Sequence, residues 1–473
     1  MDAFTWPTAP VVGPTRVFQS WFEVDGSFTV DDPTWGRYTF EHPIWADLAR
    51  HPAVRRHKAV EQLTLPPHYT PVPGTGHFSR WEHAWGSAVF VYRMAELHGL
   101  SERDTLILAL RTFVSDLGHT TGSHLGDFIA QSMAGMQNNH DARLRQYLEQ
   151  VGICDLLRKY GIDPDEVIFP SLNDWIEDSQ PKLCVDRLDY GLRQMKRMMS
   201  HPLLQHLSHK DFALNGSDLV MTDVQKALVL ARGFMQVFAE HLCDPVQLLL
   251  LALMVEKTKQ VFVSGAGRSR VWWNRNPLDL MMCSDPTQQL NMAENDAYGS
   301  VLDWLMREIS AYERGPGWYE RHDRIEAALK GERHQQWRPL PSRHHTLRLI
   351  LVEGKVEEGL SIEGHTLRVG LPALKLRRID PTVCIAGTCK PLSKWYPSFK
   401  EELANYEALM AQSHIAEVTI GNPQWAEILN AGIATVNAEW PVCLQRPPLS
   451  VEELRTLVAE AADMADAYGF IPA

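Results

Sequence analysis

The sequence has no Cys-x-x-Cys pair, no long uncharged apolar run, no internal repeat and no low-complexity tract. Its seven cysteines, at positions 154, 184, 243, 283, 384, 389 and 443, stand apart, as in a chain kept reduced. Cys384 and Cys389 are spaced for a metal or redox pair, but no second ligand pair lies nearby, so they are read as two unrelated packed cysteines. The most apolar segment, Val246 to Val255, runs straight into Glu256 and Lys257. That is too short to span a membrane and suits a buried helix. Met1 to Val30 mixes Pro, Asp and aromatics without a positive start followed by an apolar stretch, so no targeting leader is expected and the chain reads as cytoplasmic. Positive charge is in deficit: 46 Lys and Arg against 58 Asp and Glu give −12. This balance argues against a general nucleic-acid-binding surface, yet it leaves room for a local basic cleft that takes a small anion.

What is present suits a globular protein. The 473 residues can bury a large core, and 45% hydrophobic with 22% charged content is ordinary. Residues 1–36 read as an N-terminal extension, 37–340 as a mainly helical domain and 341–473 as a smaller α/β lobe. Helical faces show in Ala88, Val89, Val91, Tyr92, Ala95 and Leu97, in Leu144, Tyr147, Leu148 and Val151, and in Leu188, Leu192 and Met195. Gly265 to Pro277 and Gly315 to Arg343 read as surface loops. Thr346 to Val352 and Thr366 to Leu371 have strand character, with a turn-rich stretch between them. Helices are expected over Phe399 to Met410 and after Ser450, which looks like an N-cap with Glu452 and Glu453 in the first turn.

The chemistry concentrates in a few segments. An apolar run ending at Phe113 and Val114 is followed by Ser115-Asp116-Leu117-Gly118-His119 and Ser123-His124. Arg80-Trp81-Glu82-His83 precedes it; Asn139-His140-Asp141 and Val185-Asp186-Arg187-Leu188-Asp189-Tyr190 follow. Aspartate and imidazole are the side chains that bind a divalent cation and the phosphate oxygens it polarises. Placed beside buried helix positions in four segments, they read as one assembled site.

These segments resemble the HD phosphohydrolase superfamily, whose metal ligands come as His, then His-Asp, then a distant Asp. Within it, the chain is most similar to the deoxynucleoside triphosphate triphosphohydrolase branch. Asp32-Pro33-Thr34-Trp35-Gly36, His51 to Arg56 running to Gln62-Leu63, Pro73 to Gly86, Asp116 to His124, and Val185 to Tyr190 occur in that branch's order.

The resemblance implies a helical HD core and a divalent cation held by His83, Asp116 and Asp186. The His of the doublet is here Ser115, a poor neutral ligand, which favours Mg²⁺ or Mn²⁺ over a softer transition metal. Two alternatives stay open: a metal-free site using His119, His124 and Arg80 against phosphate, and a silent site kept for sensing. The resemblance further implies that His119, His124 and His140 line the phosphates, with Asp141 holding the His140 imidazole. Arg80 and Arg187 would offer fork-shaped donors to phosphate, and Gln62 and Tyr190 would contact the sugar. Where the branch has an acid four residues after the Tyr, this chain has Gln194, so sugar selectivity does not carry over. The expected function is metal-assisted phosphohydrolysis of a small-molecule nucleotide, similar to a dNTP triphosphohydrolase, in a homo-oligomer with no membrane partner. The alternative is a catalytically impaired HD protein that binds nucleotides and regulates a partner.

Overall fold

The computed structural model describes residues 19–24, 26–63, 65, 77–120, 122–134, 139–168, 175–199, 201–239, 244–264, 274–283, 297–314, 336–339, 346–352, 356–371 and 377–468. It is mainly helical with a smaller α/β region. Strands β1 (Ser20–Val24), β2 (Ser27–Asp32) and β3 (Gly36–Phe40) form an antiparallel sheet in that order. The β2–β3 turn is tied by Asp32, which accepts from the backbone N–H groups of Thr34 at 2.8 Å and Trp35 at 2.9 Å. An Asx turn of this kind fixes where the next side chains point, and here both Asp32 and Trp35 are buried. Within the stretch read as an extension, Phe28, Val30, Asp32 and Trp35 thus pack into the core.

Helices α1 (Ile44–Arg50) and α2 (Pro52–Arg55) lead to α3 (Arg80–His98), the central helix. Ser79 and Glu82 cap its start reciprocally, Glu82 N–H to Ser79 Oγ at 3.3 Å and Ser79 N–H to a Glu82 carboxylate oxygen at 3.0 Å. Every residue from Arg80 to Val91 is buried, so this part of the helix is enclosed on all sides, while Glu96, Leu97 and His98 at its end are exposed. Trp85 is the hub of the core, with the rings of Phe28, Trp45, Trp81 and Phe113 at centroid distances of 4.4, 5.6, 5.6 and 4.6 Å. Helix α4 (Glu102–Val114) starts at an N-cap Ser101 and tightens into a 3-10 turn over Ser115–Gly118. The chain leaves that turn extended at His119, then enters α5 (Leu125–Ala134), α6 (Asn139–Val151), α7 (Ile153–Lys159), α8 (Pro164–Ile168) and α9 (Val185–Met198).

Beyond α10 (Pro202–His206) come the hairpin β4 (Phe212–Asn215) and β5 (Asp218–Met221), then α11 (Val224–Val237) and α12 (Pro245–Ser264). Helix α12 buries most of the Val246 to Val255 run, and among the described residues no helix is long and apolar enough to cross a membrane. The C-terminal region holds a five-stranded sheet in which Ser413–Thr419 lies between Thr346–Val352 and Thr366–Leu371, flanked by Gln336–Pro339 and Gly359–Glu363. Helices Pro397–Met410 and Val451–Tyr468 form where the sequence places them. Most of the two stretches expected as loops, 265–277 and 315–343, lies outside the described residues.

Described contacts join the regions on either side of residue 340. Strand Thr382–Ile385 pairs in parallel with β5 through Val383 and Met221, and the last helix returns so that Asp463 and Asp466 pair with Arg55, and Asp466 with Lys58. Contrary to the sequence reading, Cys384 and Cys389 are not unrelated. The turn at Ala386 and Gly387, both with positive φ, closes a hairpin that sets the two directly opposite one another, where they form a disulfide. Cys154, Cys184 and Cys443 are free and buried.

Candidate active site

Arg80 and His83 lie three residues apart on α3 and so share a face. The 3-10 turn adds Asp116, the loop beyond it His119 and His124, and the first turn of α9 Asp186. His83 Nε2 lies 3.3 Å from Asp116 Oδ2 and 3.1 Å from Asp186 Oδ1, and one ligand atom from each of the three falls within 4.8 Å of the others. Adjacent ligands around an ion with bonds of about 2.1 Å are themselves about 3 Å apart. One imidazole and two carboxylates at this spacing therefore fit a divalent cation. Ser115 is not part of the set: its Oγ donates to the carbonyl of Thr112 at 3.0 Å, back onto its own helix.

A buried chain of charges fixes the His83 ring. Its Nδ1 lies 2.7 Å from Asp189 Oδ2, which leaves Nε2 as the ligand nitrogen. Asp189 Oδ1 accepts from Trp35 Nε1 at 2.6 Å and from Arg193 Nη2 at 2.8 Å, and Arg193 Nη2 also reaches Asp32 at 2.9 Å. The Asp32-to-Trp35 segment thus acts by holding Asp189. Gly86 makes room for this: a Cβ there would collide with Arg193 Nη2 and approach Asp189 Oδ1.

The electrostatics follow from burial and pairing. Burial opposes charge on His83, but hydrogen bonds to Asp186 and Asp189 and the charges of Asp189 and Asp116 outweigh it and raise the imidazole to about 10. Burial likewise opposes ionisation of Asp116, and Arg80, His119 and His83 together hold its carboxyl well below the usual range. Asp189 is lowered against burial by Arg193 and His83.

The other face of Asp116 carries the cationic groups. Arg80 Nη1 lies 2.5 Å from Asp116 Oδ2, while its Nε and Nη2 donate to Ser123 Oγ at 3.1 and 2.6 Å. His119 Nε2 is 3.2 Å from Asp116 Oδ1, and the His119 and His124 rings stand nearly perpendicular at 4.7 Å. His124 Nδ1 is 3.0 Å from Asp127 Oδ2, and its Nε2 faces Arg80 Nη2 at 3.4 Å. His119, His124 and Asp127 are also spaced to hold an ion. The Arg80 guanidinium at this distance works against a second cation and suits an anion.

The remaining expected residues divide. Tyr190 is buried beside the cluster, its ring 6.0 Å from that of His83, and burial raises its phenol. The backbone carbonyl of Gln62 accepts from Ser123 Oγ at 3.2 Å, and its side-chain Oε1 is buried with no partner among the described residues. Arg187 is not turned to the phosphate face in this arrangement. Its guanidinium donates to the carbonyls of Lys182 and Asp178, the latter at 3.0 Å, which pins the segment before α9. His140 and Asp141 fall in α6, but their side chains lie outside the described residues.

Sequence reasoning missed four contributors. Asp189 and Asp127 sit three residues after Asp186 and His124, the helical spacing that could have flagged each. Arg56 is fully buried and donates from Nη2 to the carbonyl of His119 at 2.6 Å, which locks the loop carrying that imidazole. Arg377 reaches Tyr190 from the C-terminal region across 187 positions, a contact no local pattern encodes.

No family model matches the chain. The metal-dependent phosphohydrolase cns2 of Cordyceps militaris is 28% identical over 214 residues, 44% of this chain and 52% of that protein. The deoxynucleoside triphosphate triphosphohydrolase SAMHD1 of Bos taurus is 29% identical over 154 residues, 30% of this chain and 25% of that protein. Its Homo sapiens counterpart is 28% identical over 158 residues, 31% of this chain and again 25% of the relative. The chain thus spans about half the length of the first relative and a quarter of the other two.

Proposed function

We propose that the chain is an HD-domain phosphohydrolase and that it hydrolyses a phosphate ester or anhydride of a nucleotide with the help of one divalent cation. The observation that carries the reading is the convergence of His83, Asp116 and Asp186 at ligand spacing, with Arg80, His119 and His124 on the adjoining face. His83 Nε2 and the carboxylates of Asp116 and Asp186 would hold the cation. Such an ion lowers the pKa of bound water and neutralises charge on phosphate oxygens.

The chain's own groups then have distinct tasks. Arg80 is braced by Ser123 and Asp116, so its guanidinium meets phosphate oxygens without first being ordered. His119, backed by the Asp116 carboxylate and with its loop held by Arg56, presents a fixed imidazole to the same oxygens. His124 is placed for proton transfer at Nε2, because Asp127 engages Nδ1 and stabilises the protonated ring. Within this reading Gln62 and Tyr190 flank the nucleoside, and His140 with Asp141 remains a second His–acid pair of the same kind. The test is product release from deoxynucleotides and ribonucleotides, monophosphate to triphosphate, with Mg²⁺, Mn²⁺ or Co²⁺. His124→Ala is expected to lose roughly 10² to 10⁴ in rate, and Asp186→Ala at least as much. Unchanged activity in both variants would place the chemistry elsewhere.

One observation favours a second reading. Ser115 Oγ is turned away from the cluster, so the ligand set is one group short of the family's four. A protein that binds nucleotides and regulates a partner without turnover would show saturable nucleotide binding and no released product in the same panel.

A further inference from the structure

We propose that Asp466, on the last helix, is a positioning residue for this site: it clamps the outer side of a short turn whose inner side holds the segment bearing Asp116 and His119. The inference rests on the phosphohydrolase reading above and adds to it a support from the C-terminal region. A 3-10 turn over Arg56–Lys58 follows α2 directly. Asp466 Oδ1 accepts from Lys58 Nζ at 2.6 Å and its Oδ2 from Arg55 Nε at 2.7 Å, so one carboxylate spans both ends of the segment. Asp463 adds a contact to Arg55 Nη2 at 3.0 Å. Between these two cations, Arg56 and His57 are almost wholly buried. Arg56 Nη2 donates to the His119 carbonyl at 2.6 Å, and His57 Nε2 lies 3.3 Å from the Leu117 carbonyl. Both carbonyls belong to the stretch that presents Asp116 and His119 to the cleft.

A second contact ties the same turn to α3. Lys58 Nζ stands 4.6 Å from the ring centres of both Trp21 and Trp81, and Trp81 follows Arg80 on that helix. The helix that carries Asp466 is itself anchored elsewhere. It buries Leu454, Leu457, Val458 and Ala462, and near its start Glu453 pairs with Arg275 at 2.6 Å and Arg455 Nε donates to the Gln150 carbonyl at 2.7 Å. Loss of the Asp466 carboxylate therefore loosens the turn without undocking the helix. The Leu117 and His119 carbonyls then lose part of their support, and the His119 imidazole no longer meets phosphate oxygens in a fixed place. A small misplacement of a binding group is enough to weaken its contact.

The turn reaches His119 and not His124, so Asp466 affects substrate affinity more than proton transfer. The test compares Asp466→Asn, Asp466→Glu and Arg275→Ala with the parent, reading KM and kcat for the nucleotide turned over fastest and the Kd of inorganic triphosphate by calorimetry. Ion pairs that are partly exposed are individually weak, so Asp466→Asn is expected to raise KM and Kd about 3- to 10-fold with kcat within about threefold. Asp466→Glu, which keeps the charge, recovers most of the affinity. Arg275→Ala, which cuts a tie of the same helix far from the turn, matches the parent. An unaltered KM and Kd in Asp466→Asn, an equal loss in Arg275→Ala, no recovery in Asp466→Glu, or no binding of triphosphate by the parent would each overturn the proposal. If His124→Ala and Asp186→Ala still lose turnover while Asp466→Asn does not change, only this inference fails. If all three variants behave as the parent, the phosphohydrolase reading fails with it.

Discussion

His83 Nδ1 lies 2.7 Å from Asp189 Oδ2 inside the core, and both side chains are almost wholly withdrawn from water. This pair decides which imidazole nitrogen faces Asp116 and Asp186. Asp189→Asn keeps the volume but removes the charge that two donors, Trp35 and Arg193, are built around. Metal affinity measured by calorimetry with Mn²⁺ is expected to fall about 10- to 100-fold. Trp35→Phe, which deletes one donor only, is expected to fall less. Equal affinity in Asp189→Asn and the parent would mean that the His83 orientation is set by something else.

Gly86 tests the same network from its other side. A methyl group there must displace the Arg193 guanidinium from Asp189. Separating a buried pair of this kind costs roughly 3–5 kcal/mol, so Gly86→Ala is expected to lower the denaturation midpoint strongly. Gly99→Ala serves as the comparison: it carries backbone strain at φ 65 but meets nothing near its Cβ, and is expected to cost less. A Gly86→Ala protein as stable as the parent would show that the helix packing can relax around the added carbon.

Ser115 begins the 3-10 turn that carries Asp116, and its hydroxyl is spent on Thr112. Ser115→His restores an imidazole beside the cluster and is expected to tighten Co²⁺ or Mn²⁺ binding by at least about tenfold, as a nitrogen ligand suits such ions. Calorimetry giving the same affinity for variant and parent would remove Ser115 from the ligand position.

His51 supplies an acid-sensitive element away from the site. Burial, with the charge of Arg455 beside it and against the pull of a hydrogen bond to Val151, lowers its imidazole to about 4 from the usual 6.5. The unfolded chain therefore takes up a proton before the folded one does. The contribution is complete above pH 6.5 and is lost as pH falls towards 4, amounting to at most roughly 3 kcal/mol. His51→Asn retains an acceptor for the Ala53 N–H at the start of α2 while removing the titration. Denaturant unfolding at pH 7 and pH 4.5 should show a smaller difference in the variant; an identical difference would assign the acid loss to other groups.

The convergence of much of the candidate site was legible because its groups travel in short segments. Arg80 and His83, Asp116 and His119, and Asp186 and Tyr190 each occupy one helix end, so local spacing carried them together. The C-terminal strands and last helix were equally readable from their periodicity. The supporting layer was harder to see. Asp32 and Trp35 look like an ordinary turn until Arg193 and Asp189 arrive from α9, more than 150 positions later. The Cys384–Cys389 bridge depends on a hairpin register that spacing alone leaves open. Arg187 shows what residue type alone leaves open: it suits phosphate, and here two backbone carbonyls before α9 accept from its guanidinium.

The central claim is that one cation at His83, Asp116 and Asp186 supports hydrolysis of a nucleotide phosphate. The most direct measurement strips the protein with a chelator, returns Mn²⁺ in steps and follows product release at saturating nucleotide. The account predicts that turnover is absent in the stripped protein, rises with each addition and saturates at about one equivalent, while Asp186→Ala stays inactive throughout. Full turnover in the presence of chelator, or an Asp186→Ala protein as active as the parent, would contradict it.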